Sequence, residues 1–244
     1  MGASRQDGEH HAQLTATIAR DGFAFAPGAA MREATGAGPG LHDWPAFAAS
    51  WSDLALDTHL PDGHRYRRRR HATLSARAGE ATFRLEPHQP HYQALEYNRL
   101  VGGIERWFES VRPEIAAGET FKRIVAFCLR LFGAMRPATD WHIEAHQFRI
   151  EARADAAGLP TPEGVHRDGV DYVLVMLVDR VNIESGTTTI HAPDGKLLGR
   201  FTLATALDSA LVDDARVAHG VTPVRPVDAS QPAFRDVLVV TLRA

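Results

Sequence analysis

Two hydrophobic textures divide the chain. Before about residue 140, apolar residues recur at three and four positions, the period of a helix face. Beyond it they cluster in short runs broken by Gly, Pro and Asp, the punctuation of strands. In the first part the pattern predicts a helix near residues 10–20, then a strand over residues 22–26. A helix over residues 42–56 would carry Trp44, Phe47 and Trp51, and another is expected over residues 103–110. The clearest helix spans residues 119–135, where Phe121, Ile124, Val125, Cys128, Leu129 and Phe132 form one apolar face and Pro137 limits the end. The second part predicts strands over residues 142–150, 171–178, 187–191, 198–203, 210–212, 216–224 and 236–242.

Many short strands without strand–helix alternation exclude a Rossmann-type sheet and point to an antiparallel barrel or sandwich. The expected architecture is α+β, mainly β: a double-stranded β-helix (a cupin-like jelly roll) with N-terminal helices packed on it. It is read as one domain, 1–244. Residues 1–140 form a helical and mixed supporting half, and residues 141–244 the jelly-roll core with the metal site.

Composition narrows the function. Hydrophobic residues are 44% and charged residues 23%, ordinary for a globular chain, and 27 Lys plus Arg against 30 Asp plus Glu leaves a net charge of −3. That balance opposes a dedicated nucleic-acid binder. No apolar stretch is long enough to span a membrane, and residues 1–13 lack a signal-peptide core, so a cytoplasmic location is expected. Oligomeric state is left open. The single cysteine, Cys128, rules out an intrachain disulfide and reads as a packed core thiol. The glycines of Gly36-Ala37-Gly38-Pro39-Gly40 lack the Lys-Ser/Thr of a phosphate loop.

The basic run His64-Arg65-Tyr66-Arg67-Arg68-Arg69-Arg70-His71 reads as a strand that sends alternate arginines to opposite faces. One face is expected to be solvated or salt-bridged, and the other is positioned to meet a carboxylate ligand.

The chemistry concentrates in Glu163-Gly164-Val165-His166-Arg167-Asp168-Gly169. In an extended segment His166 and Asp168 point to the same side, and the flanking glycines allow sharp turns. His219, 51 positions beyond Asp168 and near the chain's end, supplies the expected third ligand. His191 is the rival third ligand, but too many β runs follow it. His-X-Asp…His followed by a basic residue at the last strand is the layout of a 2-His-1-carboxylate triad, which leaves iron positions open. Zinc on the same three ligands, in a hydrolase, is the other metal reading.

These motifs resemble the bacterial 2-oxoglutarate/Fe(II) dioxygenases related to L-isoleucine 4-hydroxylase. The resemblance rests on Arg65-Tyr66-Arg67, Pro90-His91-Tyr92-Gln93 with Asn98 and Gly102-Gly103, and His146-Gln147-Phe148-Arg149. It continues through the 162–169 segment, Arg180-Val181-Asn182-Ile183, His219-Gly220-Val221-Thr222-Pro223-Val224 and Arg235-Asp236-Val237-Leu238. It departs from the family at Glu184-Ser185-Gly186-Thr187 and in the number of arginines in the basic run.

The resemblance implies Fe(II), 2-oxoglutarate and O2, and hydroxylation of a free aliphatic L-amino acid or similar small molecule with release of succinate and CO2. Iron would sit on His166, Asp168 and His219. No catalytic residue beyond these ligands is required. The distal carboxylate of 2-oxoglutarate is expected at Arg235, with Thr222 as a hydroxyl donor and Arg225 as the rival cation. Arg149, Gln147 and the arginines of the basic run are the candidates for substrate binding. Because the family includes biofilm-associated members, a non-catalytic or weakly catalytic regulatory β-barrel is the alternative.

Overall fold

A computed structural model describes residues 3–36, 41–60 and 66–244. The glycine-rich residues 37–40 and His64 and Arg65 of the basic run lie outside the described residues. The first half contains α1 (Ala3–Asp21), β1 (Phe23–Ala26), α2 (Gly28–Ala34), α3 (Trp44–Ala49), β2 (Ala55–Leu56), β3 (Arg67–Ala76), β4 (Arg84–Leu85), α4 (Pro113–Ala116) and α5 (Glu119–Met135). The second half contains β5 (Trp141–Ala152), β6 (Tyr172–Val181), β7 (Ile183–Ser185), β8 (Thr187–His191), β9 (Leu197–Thr202), β10 (Ser209–Asp213), β11 (Ala218–Val221), β12 (Val224–Pro226) and β13 (Ala233–Arg243).

The sheet pairings are antiparallel. An eight-stranded sheet runs β1-β10-β6-β13-β5-β3-β2, with β4 on β3; β11-β8-β9 and β12-β7 form smaller sheets. The division at residue 140 is therefore not a division of the sheet, because β1 to β4 complete it on both sides of the later strands.

Alternation along the strands gives the large sheet two different faces. Trp141, Ile143 and Ala145 of β5 and Leu238, Val240 and Leu242 of β13 join the core against α1, α3 and α5. Their neighbours His142, Glu144, His146, Phe148 and Ile150, and Arg235, Val237, Val239 and Thr241, line a pocket on the opposite face. Val173, Val212 and Ile190 of β8 pack the small three-stranded sheet against that same face.

Helix α5 has the bounds its periodicity predicts. Gly118, its N-cap, has no side chain, so Asp43 reaches in and accepts from the Thr120 amide at 3.1 Å and hydroxyl at 2.6 Å. This satisfies an amide that would otherwise be orphaned at the helix start. Cys128, on the buried face, is 0% exposed, and burial pushes its thiol pKa well up. Native protein at pH 8 is therefore expected to resist a thiol-specific reagent and to react once unfolded, measurable by absorbance.

Two predicted helices differ. The 42–56 stretch is helical only over Trp44–Ala49, tightens to a 3-10 turn at Ser50–Asp53, then extends into β2. This turn seats Trp51 so that its indole N–H reaches the Phe148 carbonyl at 3.1 Å. Residues 103–110 form no helix; Arg106 bridges His91 and Ser110 bridges His71. Ile104 and Trp107, two of the apolar residues of that expected helix, are 52% and 55% exposed. The predicted 216–224 strand breaks at Thr222-Pro223 into β11 and β12, since proline lacks the N–H a ladder needs. Among the described residues no helix is long and apolar enough to cross a membrane.

Candidate active site

The pocket has a volume of about 230 Å³. One wall brings together the three residues of the sequence motif. His166 and His219 exchange backbone hydrogen bonds of 2.9 Å each way, which continues the edge of β11 and sets the two imidazoles side by side, centroids 4.7 Å apart. Gly164 and Gly169 adopt φ of +84° and +79°, the left-handed turns that bracket this segment. Asp168 lies between the rings: Oδ1 is 3.5 Å from His166 Nε2 and Oδ2 is 3.6 Å from His219 Nε2. His166 Nδ1 lies 3.1 Å from the Gly164 carbonyl, where it donates and leaves Nε2 turned to the shared centre.

The charges describe a cation site. Burial opposes the His166 imidazolium, but Asp168, together with Glu163 3.4 Å from the same Nε2, outweighs it and lifts the pKa to about 9. Burial and neighbouring His166 push His219 down to about 4. Burial also opposes the Asp168 carboxylate, yet the histidines hold its pKa well below the usual range. An ionised carboxylate flanked by two imidazole nitrogens is a donor set that fits a divalent transition metal.

Asp214 secures this geometry, and the sequence reading missed it. Fully buried, its carboxylate accepts from the amides of Asp168, Gly169 and Val170 at 3.0, 2.8 and 3.2 Å. Nothing in Val212-Asp213-Asp214 distinguishes it from a turn aspartate.

Arg235 reaches the pocket from β13. It is 2% exposed, and its Nε and Nη2 have no hydrogen-bond partner among the described residues. Burial and the neighbouring Arg180 push its pKa down to about 10. A buried guanidinium with two unused donors fits a carboxylate from a ligand. The Glu184-Ser185-Gly186 departure builds the turn beside it: Ser185 and Gly186 take φ of +63° and +71°, and Gly186 lies against Arg180 and Arg235.

Four other expected residues are placed elsewhere. Thr222 is exposed, and its hydroxyl accepts from the Thr187 amide at 2.9 Å, stitching β11 to the start of β8. Arg225 is exposed on β12. His191 closes the β8–β9 turn, its Nδ1 3.1 Å from the Gly195 carbonyl. Gln147 points to the helical side, donating to Ser50 Oγ at 2.8 Å.

Arg149 also faces away from the pocket. It pairs bidentately with Asp236 at 2.8 and 2.6 Å. Asp236 is 1% exposed, and burial raises its pKa to about 6 despite that partner. Arg149→Ala would strand the buried carboxylate, an expected loss of about 3–5 kcal/mol in stability by denaturant unfolding. The KM for the substrate is expected to be unchanged, because no atom of Arg149 lines the pocket.

The pocket's other end holds a second His/acid cluster, His71, His91, Glu144 and His146. The basic run brings it a cation: Arg69 Nη2 lies 2.8 Å from His146 Nδ1. Arginine only donates, so Nδ1 accepts and the proton of His146 sits on Nε2, facing Glu144 Oε2 at 3.4 Å. His91 Nδ1 donates to the same oxygen at 2.6 Å. Burial opposes the Glu144 charge, but the surrounding histidines hold its pKa far below normal. The ring nitrogens of His91 and His146 that face Glu144 thus carry protons, so this cluster is a hydrogen-bonded anion, not a metal cage. At the 166–168–219 triad burial keeps His219 neutral, and a metal would displace the proton that Asp168 draws onto His166, so this set fits a metal better.

Comparison with known proteins gives the family. A family described as 2OG-Fe dioxygenase matches residues 48–241. The 3(1)-hydroxy-L-isoleucine 4-dioxygenase of Pantoea ananatis is 25% identical over 234 residues, 93% of each chain. The L-isoleucine-4-hydroxylase of Bacillus thuringiensis is 27% identical over 160 residues, 64% of this chain and 66% of that one. Among solved structures, a bsmA homolog from Methylobium petroleophilum PM1 is 36% identical with a TM-score of 0.87, over 96% of this chain and 93% of that one. With two imidazoles and a carboxylate facing one centre, and a match over most of its length, the chain belongs to the 2OG-Fe dioxygenase family, enzymes that use Fe(II), 2-oxoglutarate and O2.

Proposed function

We propose that this enzyme hydroxylates a free aliphatic L-amino acid, or a small molecule like it, releasing succinate and CO2. The observation that carries the reading is the pairing, in one pocket, of the His166–Asp168–His219 centre with Arg235, whose Nε and Nη2 have no partner among the described residues. In this reading residues 1–244 act as one catalytic domain, and the large sheet with the smaller ones facing it is a double-stranded β-helix. His166, Asp168 and His219 hold the metal on one side. Arg235 takes the distal carboxylate of 2-oxoglutarate. When bound, iron and 2-oxoglutarate supply the oxidising chemistry, with O2 as oxidant.

The chain's own contribution is position and dryness. Asp214 fixes the backbone that presents Asp168. Phe148, Ile150, Val175, Val237 and Val239 form an apolar wall that excludes water and suits an aliphatic side chain. The relatives that act on isoleucine or hydroxy-isoleucine support that class of substrate. A buried arginine that waits for a carboxylate favours the enzyme over a regulatory barrel.

The test is succinate formation from 2-oxoglutarate with Fe(II) and O2, across a panel of aliphatic L-amino acids. Succinate should rise with at least one of them, and that amino acid should gain one oxygen atom by mass spectrometry. Succinate that no amino acid stimulates would discard the substrate class and leave the family chemistry standing.

A further inference from the structure

The pocket holds more positive charge than the metal and 2-oxoglutarate explain. Arg67, Arg69 and Arg106 all line it, and they are 7%, 3% and 2% exposed. Among the described residues Asp57 is the one fully buried carboxylate in ion-pair contact with them, and it is committed to Arg67, with Nε at 2.8 Å and Nη2 at 2.7 Å. Arg69 stands farther off, its Nη1 3.8 Å from the same oxygen.

The Arg69 guanidinium is covered by rings. Its centre lies 3.7 Å from the Phe108 centroid and 4.5 Å from that of Phe148, so its remaining interactions run along its edge. On that edge Nη2 meets His146, while Nε is buried without a hydrogen-bond partner. Arg106 has no acidic partner within 4.0 Å among the described residues. Its one side-chain bond reaches Gln93 Oε1 at 3.5 Å, and its Nε is also buried and unused. A buried cation with no counter-ion in contact is costly, and an anion that accepts from it offsets that cost.

We propose that Arg69 and Arg106 form a second anion subsite that takes the carboxylate of the prime substrate. The subsite itself stands on the geometry; naming its occupant as the substrate rests on the dioxygenase reading above. It is distinct from the Arg235 site. Arg69 stands on β3 opposite Phe148 and Arg235 on β13 opposite Ile150, so β5 and one two-residue step separate them. A planar carboxylate matches edge-on guanidinium donors. The subsite also adjoins the metal centre: Gln93, which accepts from Arg106, donates through Nε2 to the Asp168 carbonyl at 3.1 Å. A substrate held by its carboxylate there is anchored one side chain away from the metal-binding segment. The ligand class that follows is a free carboxylate, not its amide or ester.

The test uses the metal-free protein, so that it does not depend on turnover. Arginine Nε–H resonances are followed by NMR while sodium acetate is titrated at constant ionic strength, with acetamide as the uncharged control. Arg106→Lys and Arg69→Lys assign the signals. Saturable shifts of both signals by acetate but not acetamide are expected. Arg106→Gln should weaken acetate about 10- to 100-fold, the scale of one charge-assisted pair, while Arg106→Lys retains part of the affinity.

Acetate shifts that do not saturate, or that survive Arg106→Gln in a protein whose spectrum shows it folded, would overturn the subsite. The two readings fail separately. Acetate binding without any succinate formation in the iron-loaded wild type would remove the dioxygenase reading alone. Succinate formation without acetate binding at Arg106 would remove the subsite alone.

Discussion

Asp168→Ala is expected to abolish 2-oxoglutarate turnover while leaving the protein folded. Among the described residues Asp168 is the one carboxylate in contact with Nε2 of both imidazoles, 3.5 Å from His166 and 3.6 Å from His219. Removing it leaves two nitrogens without a shared carboxylate, because the neighbouring Glu163 reaches His166 alone, its Oε1 3.4 Å from Nε2. Loss of a supporting group outside the ligand set typically costs 10- to 100-fold in affinity or activity, so loss of a ligand should cost at least about 100-fold. Folding is expected to survive because the segment is held from behind: Asp214 binds the backbone amides of residues 168–170, not the Asp168 side chain. Succinate assays together with a thermal melt separate the two effects. Wild-type turnover in the variant would remove Asp168 from the metal site.

The second large effect is expected from Arg235→Gln. Truncating one partner of a buried, hydrogen-bonded charge pair costs roughly 2–5 kcal/mol, so the KM for 2-oxoglutarate should rise at least about 30-fold. The KM for the prime substrate should change little, because the other anion subsite is built from different residues. A purely structural arginine would behave differently. Arg235 is a buried cation whose Nε and Nη2 lack partners, so its removal should not lower the melting temperature of the metal-free protein. A fall in stability with an unchanged KM for 2-oxoglutarate would contradict the assignment.

How much of this was legible in the sequence depended on periodicity. Helix α5 announced itself because its apolar residues repeat at helical spacing and all pack on one sheet. His166 and Asp168 were legible because a two-residue spacing in an extended segment fixes a shared side. The Pro90–Gln93, Asn98 and Gly102-Gly103 residues of the family resemblance gain a physical account: Gln93 and Asn98 line the pocket, and Gln93 touches both Arg106 and Asp168.

Gln147 and Arg149 were misjudged through parity. Along β5 the pocket takes the even positions, 142 to 150, and the odd positions face the other side. Trp141, Ile143 and Ala145 already mark the odd face as core, but two polar residues at 147 and 149 hid its continuation. Their partners, Ser50 and Asp236, lie 97 and 87 positions away, beyond any local pattern. The 103–110 segment failed for the opposite reason. Its spacing mimics a helix face, yet of its three apolar residues only Phe108 is buried, Ile104 and Trp107 are exposed, and the charged Arg106 is buried instead. Arg106 and Asp214 gave no signal, because a buried charge and a solvated one look alike in sequence.

The most direct test of the account is an anaerobic Fe(II) titration by calorimetry, on the wild type and on three variants: His166→Ala, His219→Ala and Glu144→Gln. The account expects one Fe(II) per chain in the wild type, binding lost in both histidine variants, and binding kept in Glu144→Gln. Iron that stays bound without His166 and His219, or that leaves with Glu144, would place the metal on the wrong cluster and contradict the assignment of the active site.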